Sequence, residues 1–273
     1  MTAPTKAPLV AKTEKRLEKH GHVRIDNFFW LKNREDKNVI SYLEQENEYT
    51  DSILKPHQAL QNQIFDELKS RVIEDESSFP VQRAGYEYYS KFIPGKQYPV
   101  YLRKNLKDGQ ETTLIDVNKE SEGQNYYESS GPVMSYDHNL MAYAFDNQGR
   151  RFYTIQVKDL RTQEVLPIKI EKAKANIIWS KDNRYFFYTK SDPETLRTYQ
   201  VYRYDIQNKT STLVLEEKDE TFEVFIYQNL AKNYIFTVAN STLTTEIKYL
   251  DAGTPTAEFK TFLKREKEHE YEV

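Results

Sequence analysis

Met134–Tyr143 has the sequence MSYDHNLMAY, and Trp179–Tyr188, 45 residues further on, has the sequence WSKDNRYFFY. In both segments a Ser-x-Asp turn precedes a run of apolar and aromatic residues. The next strand-like run after each segment ends in aspartate, first Asp159 and then Asp205, and Asp251 follows after a further 46 residues. Short alternating runs and turns that repeat about every 40–50 residues are typical of β-propeller blades. The sequence therefore predicts a fold built from propeller blades.

The same period divides the C-terminal part of the chain, residues 75–273, into blades. The predicted blades cover about residues 84–117, 131–168, 175–216 and 221–263, and residues 270–273 begin a further alternating run. The first blade shows three strand-like runs, whereas each later blade shows four. We therefore predict a mainly β fold, a partial β-propeller of about four four-stranded blades, preceded by an N-terminal arm and two α-helices.

The Ser-x-Asp turns place a possible nucleophile close to a carboxylate, once at Ser135 and Asp137 and again at Ser180 and Asp182. Serine and aspartate side chains also bind nearby backbone groups and so fix tight turns. A catalytic pair has no reason to recur at equivalent positions of successive blades. We interpret both pairs as hydrogen bonds that fasten hairpins.

Residues 1–74 are predicted to form the arm and the helical segment. His20 and His22 are interpreted as exposed or structural residues on one side of an extended strand, because zinc needs further ligands. Asp36 is predicted to cap the first helix, and Pro56 to lie in the first turn of the second. Apolar residues at helical spacing predict a core-facing stripe on each helix, and we expect part of the covering surface to lie outside this chain. The face of the first helix carries Val39, Ile40 and Leu43 together with the polar Asn47, and the stripe of the second consists of Leu60, Ile64, Phe65, Leu68 and Val72.

Composition excludes several classes of function. The chain has 39 Lys and Arg against 42 Asp and Glu, a net charge of -3, so nothing favours nucleic acid or an anionic membrane as partner. The absence of cysteine excludes disulfides, thiolate nucleophiles and cysteine-ligated zinc. The start, Met1–Pro8, lacks the apolar core of a signal peptide, and no run approaches the roughly 20 apolar residues of a membrane span. We expect a cytoplasmic rather than a periplasmic protein.

The common catalytic motifs are missing from the sequence. No two of the eight glycines are four residues apart, which excludes a Gly-x-Ser-x-Gly nucleophile elbow. The positions of the glycines also exclude the usual glycine-rich phosphate-binding loops. The five histidines are scattered along the chain, and no spacing of carboxylates indicates an acid/base pair. The sequence therefore assigns no catalytic, cofactor-binding or metal-binding residue, and predicts no cofactor.

Four segments carry a resemblance to a known family. Asp26–Asn33 (DNFFWLKN) is similar to an Asp-x-Tyr-x-Trp-Leu-Arg-Asp segment, and Tyr42–Asn47 (YLEQEN) follows it at the same spacing. Gly85–Tyr89 (GYEYY) lies at the start of the first blade, and His269–Val273 (HEYEV) resembles the entry into a later blade. In this order, the segments resemble the N-terminal half of the prolyl oligopeptidase family of serine peptidases. They are most similar to its oligopeptidase B (protease II) branch.

The resemblance implies a seven-bladed propeller that caps an α/β-hydrolase domain carrying the catalytic serine, aspartate and histidine. Such a cap admits short peptides and excludes folded proteins, and the oligopeptidase B branch cleaves after Lys or Arg. The sequence ends after about four blades, and no residue here corresponds to the triad. We therefore expect an N-terminal gating fragment that is inactive alone. Its expected partners are the missing hydrolase domain and an oligopeptide substrate.

Two alternatives remain open from the residues. The chain could be a stand-alone propeller that binds a peptide or protein partner on its face, provided that its ends are closed or capped. An independent enzyme that uses carboxylates in the propeller channel is the third hypothesis.

Overall fold

A computed structural model describes residues 6–273, and the chain divides into two compact units, Met1–Ile73 and Glu74–Val273. Residues 1–5 of the predicted arm lie outside the described part. Over the described residues, no helix combines the length and the apolar composition needed to cross a membrane.

The N-terminal unit begins with a two-stranded hairpin of β1 (Lys15–Lys19) and β2 (His22–Asp26). His20 and Gly21 form its turn, with φ angles of 53° and 77°. Two successive residues at positive φ are typical of the tight turn whose twist matches a hairpin. The prediction that His20 and His22 share one side of a strand was therefore wrong, because His20 lies in the turn.

Two helices follow a short 3₁₀ segment at Phe29–Lys32. Helix α1 spans Lys37–Leu54, and the Asp36 carboxylate accepts a hydrogen bond from the backbone N–H of Asn38 at 2.8 Å, which confirms the predicted cap. Pro56 lies in a 3₁₀ turn, Lys55–His57, that leads directly into α2, Gln58–Ser70.

The predicted apolar stripes of the two helices are mostly exposed. Val39 is buried, but the other apolar residues of both stripes are between 43% and 64% exposed. The prediction that they face a core is wrong within this chain. The exposed residues are Ile40, Leu43, Leu60, Ile64, Phe65, Leu68 and Val72.

The first blade is a four-stranded antiparallel sheet with its strands in sequence order. Three strands were predicted, and the missed one is only three residues long and exposed, so it shows no alternation of apolar residues. A single turn of helix, α3 (Val117–Glu120), follows the sheet. The strands are β3 (Val81–Arg83), β4 (Tyr86–Lys91), β5 (Val100–Asn105) and β6 (Glu111–Asp116).

The second and third blades form one continuous antiparallel sheet. One long strand, β11, pairs with β10 in its first half and with β12 in its second half. The register of its pairing with β12 shifts between Ala173 and Ile177. The predicted blade boundary between residues 168 and 175 therefore falls inside a strand. The strands are β7 (Glu128–Ser129), β8 (Val133–Met134), β9 (Leu140–Asp146), β10 (Tyr153–Asp159), β11 (Val165–Trp179), β12 (Tyr185–Ser191), β13 (Thr198–Asp205) and β14 (Thr210–Glu216).

The fourth blade is again a four-stranded antiparallel sheet in sequence order. Its strands are β15 (Glu223–Gln228), β16 (Tyr234–Asn240), β17 (Thr245–Asp251) and β18 (Lys260–Thr261). Residues 270–273, predicted to begin another strand, have no strand conformation. They contact this blade instead, since the Tyr271 hydroxyl accepts a hydrogen bond from the backbone N–H of Ile247 at 2.8 Å.

Three hydrophobic clusters lie between successive blades. Leu114 of the first blade packs with Met141 of the second, and the next cluster joins the second and third blades around Phe186. The third cluster joins Phe187 with Val224 of the fourth blade. Successive residues of a strand point to opposite faces of the sheet, so Phe186 and Phe187 serve different clusters. The apolar faces of successive blades are therefore buried against each other.

The recurring aspartates are the first residues of the turns that connect the third and fourth strands in the second, third and fourth blades. The Oδ1 atoms of Asp159, Asp205 and Asp251 each accept a hydrogen bond from the backbone N–H two residues further on, at 2.9, 2.9 and 2.7 Å. Hydrogen bonds from Arg161 and Arg184 lower the pKa values of Asp159 and Asp205, each to about 2. The repeat in the sequence is thus a repeat of turn chemistry.

Candidate functional site

The first Ser-x-Asp turn connects the first two strand segments of the second blade. The Ser135 hydroxyl donates to Asp137 Oδ1 at 2.6 Å and accepts from the backbone N–H of Leu140 at 3.0 Å. Asp137 also accepts from the backbone N–H of Asn139 at 3.1 Å. Ser135 is almost completely buried, so water cannot reach its hydroxyl, and these hydrogen bonds satisfy that group instead.

The second turn has the same geometry in the third blade. The Ser180 hydroxyl donates to Asp182 and accepts from the backbone N–H of Tyr185 at 3.1 Å. The residues after the two aspartates, His138 and Asn183, share a left-handed backbone with φ angles of 57° and 58°. The interpretation of both pairs as hairpin fasteners is confirmed in its hydrogen bonds.

Removing the Ser180 hydroxyl should lower stability. We expect Ser180→Ala to reduce the free energy of unfolding by about 1–3 kcal/mol, because a buried backbone N–H loses its partner. Urea unfolding followed by tyrosine fluorescence measures the change. Ser77→Ala is the matched control, since Ser77 is exposed. Equal midpoints for the two variants would contradict a fastening role for Ser180.

A histidine lies next to the first of these turns. His138 Nδ1 and the Tyr88 hydroxyl are hydrogen bonded at 2.6 Å, and their rings are 5.4 Å apart. The hydroxyl of Ser135 is directed at Asp137 and at the backbone of Leu140, so serine and histidine do not form the hydrogen-bonded pair that activates a nucleophile. The proximity of Ser135, Asp137 and His138 is therefore a product of the turn.

His138 borders a pocket of about 380 Å³ between the first and second blades, which we call the blade 1–2 pocket. Three parts of the C-terminal unit contribute to it. They are the first blade with Val81, Arg83, Tyr88 and Tyr101, the second with Val133, Met134 and His138, and the fourth with Lys232.

Hydrogen bonds to the second blade hold Lys232 of the fourth blade at the pocket. The Tyr136 hydroxyl, from the second blade, donates to the backbone oxygen of Lys232 and accepts from Gln228 Nε2. The Lys232 ammonium lies 5.8 Å from the centre of the Tyr136 ring. This contact brings a positive charge from the fourth blade to the edge of a pocket in the first two.

The electrostatics of the blade 1–2 pocket are dominated by positive charge. Burial lowers the pKa of His138, and the nearby Lys232, Arg103 and Arg83 lower it further. Burial also lowers the pKa of Lys232, and Arg83 contributes in the same direction. The lowered pKa favours the neutral form of His138 near pH 7, and the nearby cations are Lys232, Arg103 and Arg83.

Arg103 does not line the pocket itself but contacts His138, which does. It is 7% exposed, its guanidinium lies 4.4 Å from the centre of the Tyr86 ring, and one terminal nitrogen donates to the backbone oxygen of His138 at 3.0 Å. The buried Arg103 Nε has no hydrogen-bond partner in residues 6–273. Burial raises the pKa of Tyr88, although Arg103 opposes the shift, so the phenol keeps its proton.

Sequence reasoning did not find the blade 1–2 pocket, because its lining residues come from three blades. Arg83, His138 and Lys232 share one signal, which is their position at the turn between the first two strands of a blade. Among the described residues, no group of three or more histidine, aspartate or glutamate side chains could hold a metal ion.

Comparison with known proteins assigns the fold. Residues 8–273 match the family description "Prolyl oligopeptidase, N-terminal beta-propeller domain". The chain is 35% identical to dipeptidyl aminopeptidase BI of Pseudoxanthomonas mexicana in an alignment that spans 93% of the chain. It is also 35% identical to Protease 2 of Moraxella lacunata, in an alignment that spans 92% of the chain. It covers 38% of each of these proteins.

Solved structures agree with this assignment. Oligopeptidase B from Leishmania major superimposes with a TM-score of 0.89 at 26% identity, covering 98% of this chain and 40% of that one. Oligopeptidase B from Trypanosoma brucei superimposes with a TM-score of 0.85 at 22% identity. The fold is thus that of the N-terminal part of longer peptidases. The chain belongs to the prolyl oligopeptidase family, in the part of its sequence that forms the N-terminal β-propeller domain.

Proposed function

We propose that the chain is the gating portion of an oligopeptidase B-like serine peptidase. It acts with an α/β-hydrolase domain that lies outside residues 1–273 and carries the catalytic triad. The observation that carries the proposal is the family match over residues 8–273, together with 35% identity to two peptidases of which the chain covers 38%. In this role the blades restrict access to short peptides, and cleavage follows Lys or Arg.

The exposed apolar stripe of α2 supports a partner domain. Leu60, Ile64, Phe65 and Leu68 recur at helical spacing and are between 48% and 63% exposed. A soluble chain rarely exposes a contiguous apolar surface unless another surface covers it. We assign this stripe to contact with the hydrolase domain.

Hydrolysis assays test the division of labour between the two parts. The purified chain should show no serine-inhibitor-sensitive turnover of Lys or Arg ester substrates, because the nucleophile is assigned to the other domain. Linked to an oligopeptidase B hydrolase domain, it should permit cleavage of short peptides after Lys or Arg and prevent cleavage of folded proteins. Robust turnover by the chain alone would overturn the proposal.

The α2 stripe offers a sharper test of domain contact. We expect Phe65→Asp to weaken association with a separately produced hydrolase domain at least tenfold, because a charge would have to be buried in an apolar contact. Gln63→Asp is the matched control, since it adds the same charge at an exposed position of the same helix. Isothermal titration calorimetry measures both affinities. Equal weakening of the association by the two variants would show that the stripe does not lie in the interface.

The alternative is a binding module that acts without a hydrolase domain. The observation in its favour is that buried clusters join all three pairs of successive blades. Peptide binding of unchanged affinity in the presence and absence of the hydrolase domain, with no effect on hydrolysis, would favour this function.

A further inference from the structure

We propose that the blade 1–2 pocket binds the carboxylate of a short peptide, between cations of the first and fourth blades and against the apolar wall of the first two. The proposal rests on the proposed function only for the peptide nature of the ligand. The preference for a carboxylate follows from the pocket itself.

Unpaired positive charge is the first argument. Within residues 6–273, neither the Arg83 guanidinium nor the Lys232 ammonium forms an ion pair with a carboxylate. Their mutual repulsion contributes to the lowered pKa of Lys232. The nearby carboxylate of Asp137 is already engaged by Ser135 and Asn139. An anion in the pocket would relieve this repulsion, and the attraction is stronger at the partly buried Lys232 than at the exposed Arg83.

Arg103 supplies the second argument. A buried polar atom normally has a hydrogen-bond partner, and each exception calls for a reason. Arg103 is buried, and its Nε–H has none in the described part of the chain. Its contacts with the Tyr86 ring and with the backbone oxygen of His138 place a fixed positive charge next to a residue that lines the pocket.

The shape and lining of the pocket indicate the rest of the ligand. Tyr101, Val81 and Met134 line it together with Tyr88, so a group attached to the carboxylate meets aromatic and aliphatic surface. Its volume of about 380 Å³ lies near the lower end of the range for small-ligand sites, about 300–1,000 Å³. Such a space admits one end or one side chain of a peptide and excludes a folded domain.

Calorimetric titration of the whole chain at pH 7.5 tests the proposal without any hydrolysis. Three probes are compared: acetyl-Leu-Ala-Leu as the free acid, the same peptide as its C-terminal amide, and acetyl-Glu-Ala-Leu amide. The pocket predicts that at least one carboxylate peptide binds tenfold more tightly than the neutral amide, a difference of about 1.4 kcal/mol. Tight binding of the free acid assigns the site to a peptide C-terminus, and tight binding of the glutamate peptide assigns it to an acidic side chain.

Charge-removing variants locate the binding. Arg83→Gln and Lys232→Gln should each weaken the favoured carboxylate peptide about tenfold and leave the amide unchanged. Arg150→Gln removes the same charge from an exposed position in the β9–β10 turn and should have no effect. Circular dichroism shows whether each variant remains folded. Equal binding of all three probes, or equal weakening by Arg83→Gln and Arg150→Gln, would overturn the proposal. Because no probe is cleaved, this result is independent of whether the chain serves a peptidase.

Discussion

Replacing Phe186 with alanine is expected to lower the free energy of unfolding by about 3–5 kcal/mol. Phe186 is completely buried, and its ring centre lies 5.4 Å from that of Trp179 and 5.1 Å from that of Tyr204. The truncation leaves a cavity between the second and third blades, where β-sheet backbone on both sides restricts collapse. Chemical denaturation monitored by far-ultraviolet circular dichroism measures the loss.

Phe79→Ala is the control for this variant, since Phe79 is 94% exposed and its truncation removes little buried contact. Its unfolding midpoint should remain within experimental error of the parent. A loss below about 1 kcal/mol for Phe186→Ala would mean that the cluster around it contributes little to stability.

Replacing Arg265 with alanine is expected to cost about 2–3 kcal/mol at pH 7, less than the 3–5 kcal/mol typical of a broken buried ion pair, because Arg265 is 28% exposed. Its guanidinium is hydrogen bonded to the carboxylates of Glu217 and Glu246 and lies 3.9 Å from the centre of the Phe222 ring. Without it, two largely buried carboxylates lose their shared cation. Lys264→Ala, at the adjacent exposed position, is the control.

The cost of Arg265→Ala should also depend on pH. Burial raises the pKa of Glu217, but the hydrogen bond from Arg265 and one from the backbone of Asp219 lower it by more, so the net shift is downward. A carboxyl group with a lowered pKa contributes stability above its unfolded pKa and loses it as the pH falls through the folded value. The difference between parent and variant should therefore shrink on acidification from pH 7 to below about 4. A constant difference would assign the effect of Arg265 to its packing on Phe222.

Turn chemistry and period made much of the fold predictable. The serine and aspartate side chains at Ser180 and Asp205 act on backbone groups within five residues, so their role can be inferred from local sequence. The same is true of Asp36 at the start of α1. Strand β3 was missed because its three exposed residues show no alternation of apolar and polar residues. The blade boundary inside β11 was missed because a strand that belongs to two blades has no break in its sequence.

The apolar stripes of α1 and α2 were predicted correctly as stripes, but whether they are buried depends on what lies against them. Sequence periodicity cannot supply that information, because it shows which face of a helix is apolar but not which surface packs against that face. The blade 1–2 pocket was out of reach for a related reason. Arg83 and Lys232 are 149 residues apart, and only the radial arrangement of the blades brings them to one pocket.

The strand that belongs to two blades, β11, limits how the array can flex. The second and third blades share a continuous, hydrogen-bonded backbone, so a rotation of one blade against the other would have to bend β11. Segments outside the sheets make the other two junctions, residues 117–127 between the first and second blades and residues 217–222 between the third and fourth. A change of angle between blades that bends no strand can therefore occur only at these segments. The first of them connects the two blades that supply most of the lining of the blade 1–2 pocket, so a change of angle there would alter the distance between the pocket walls.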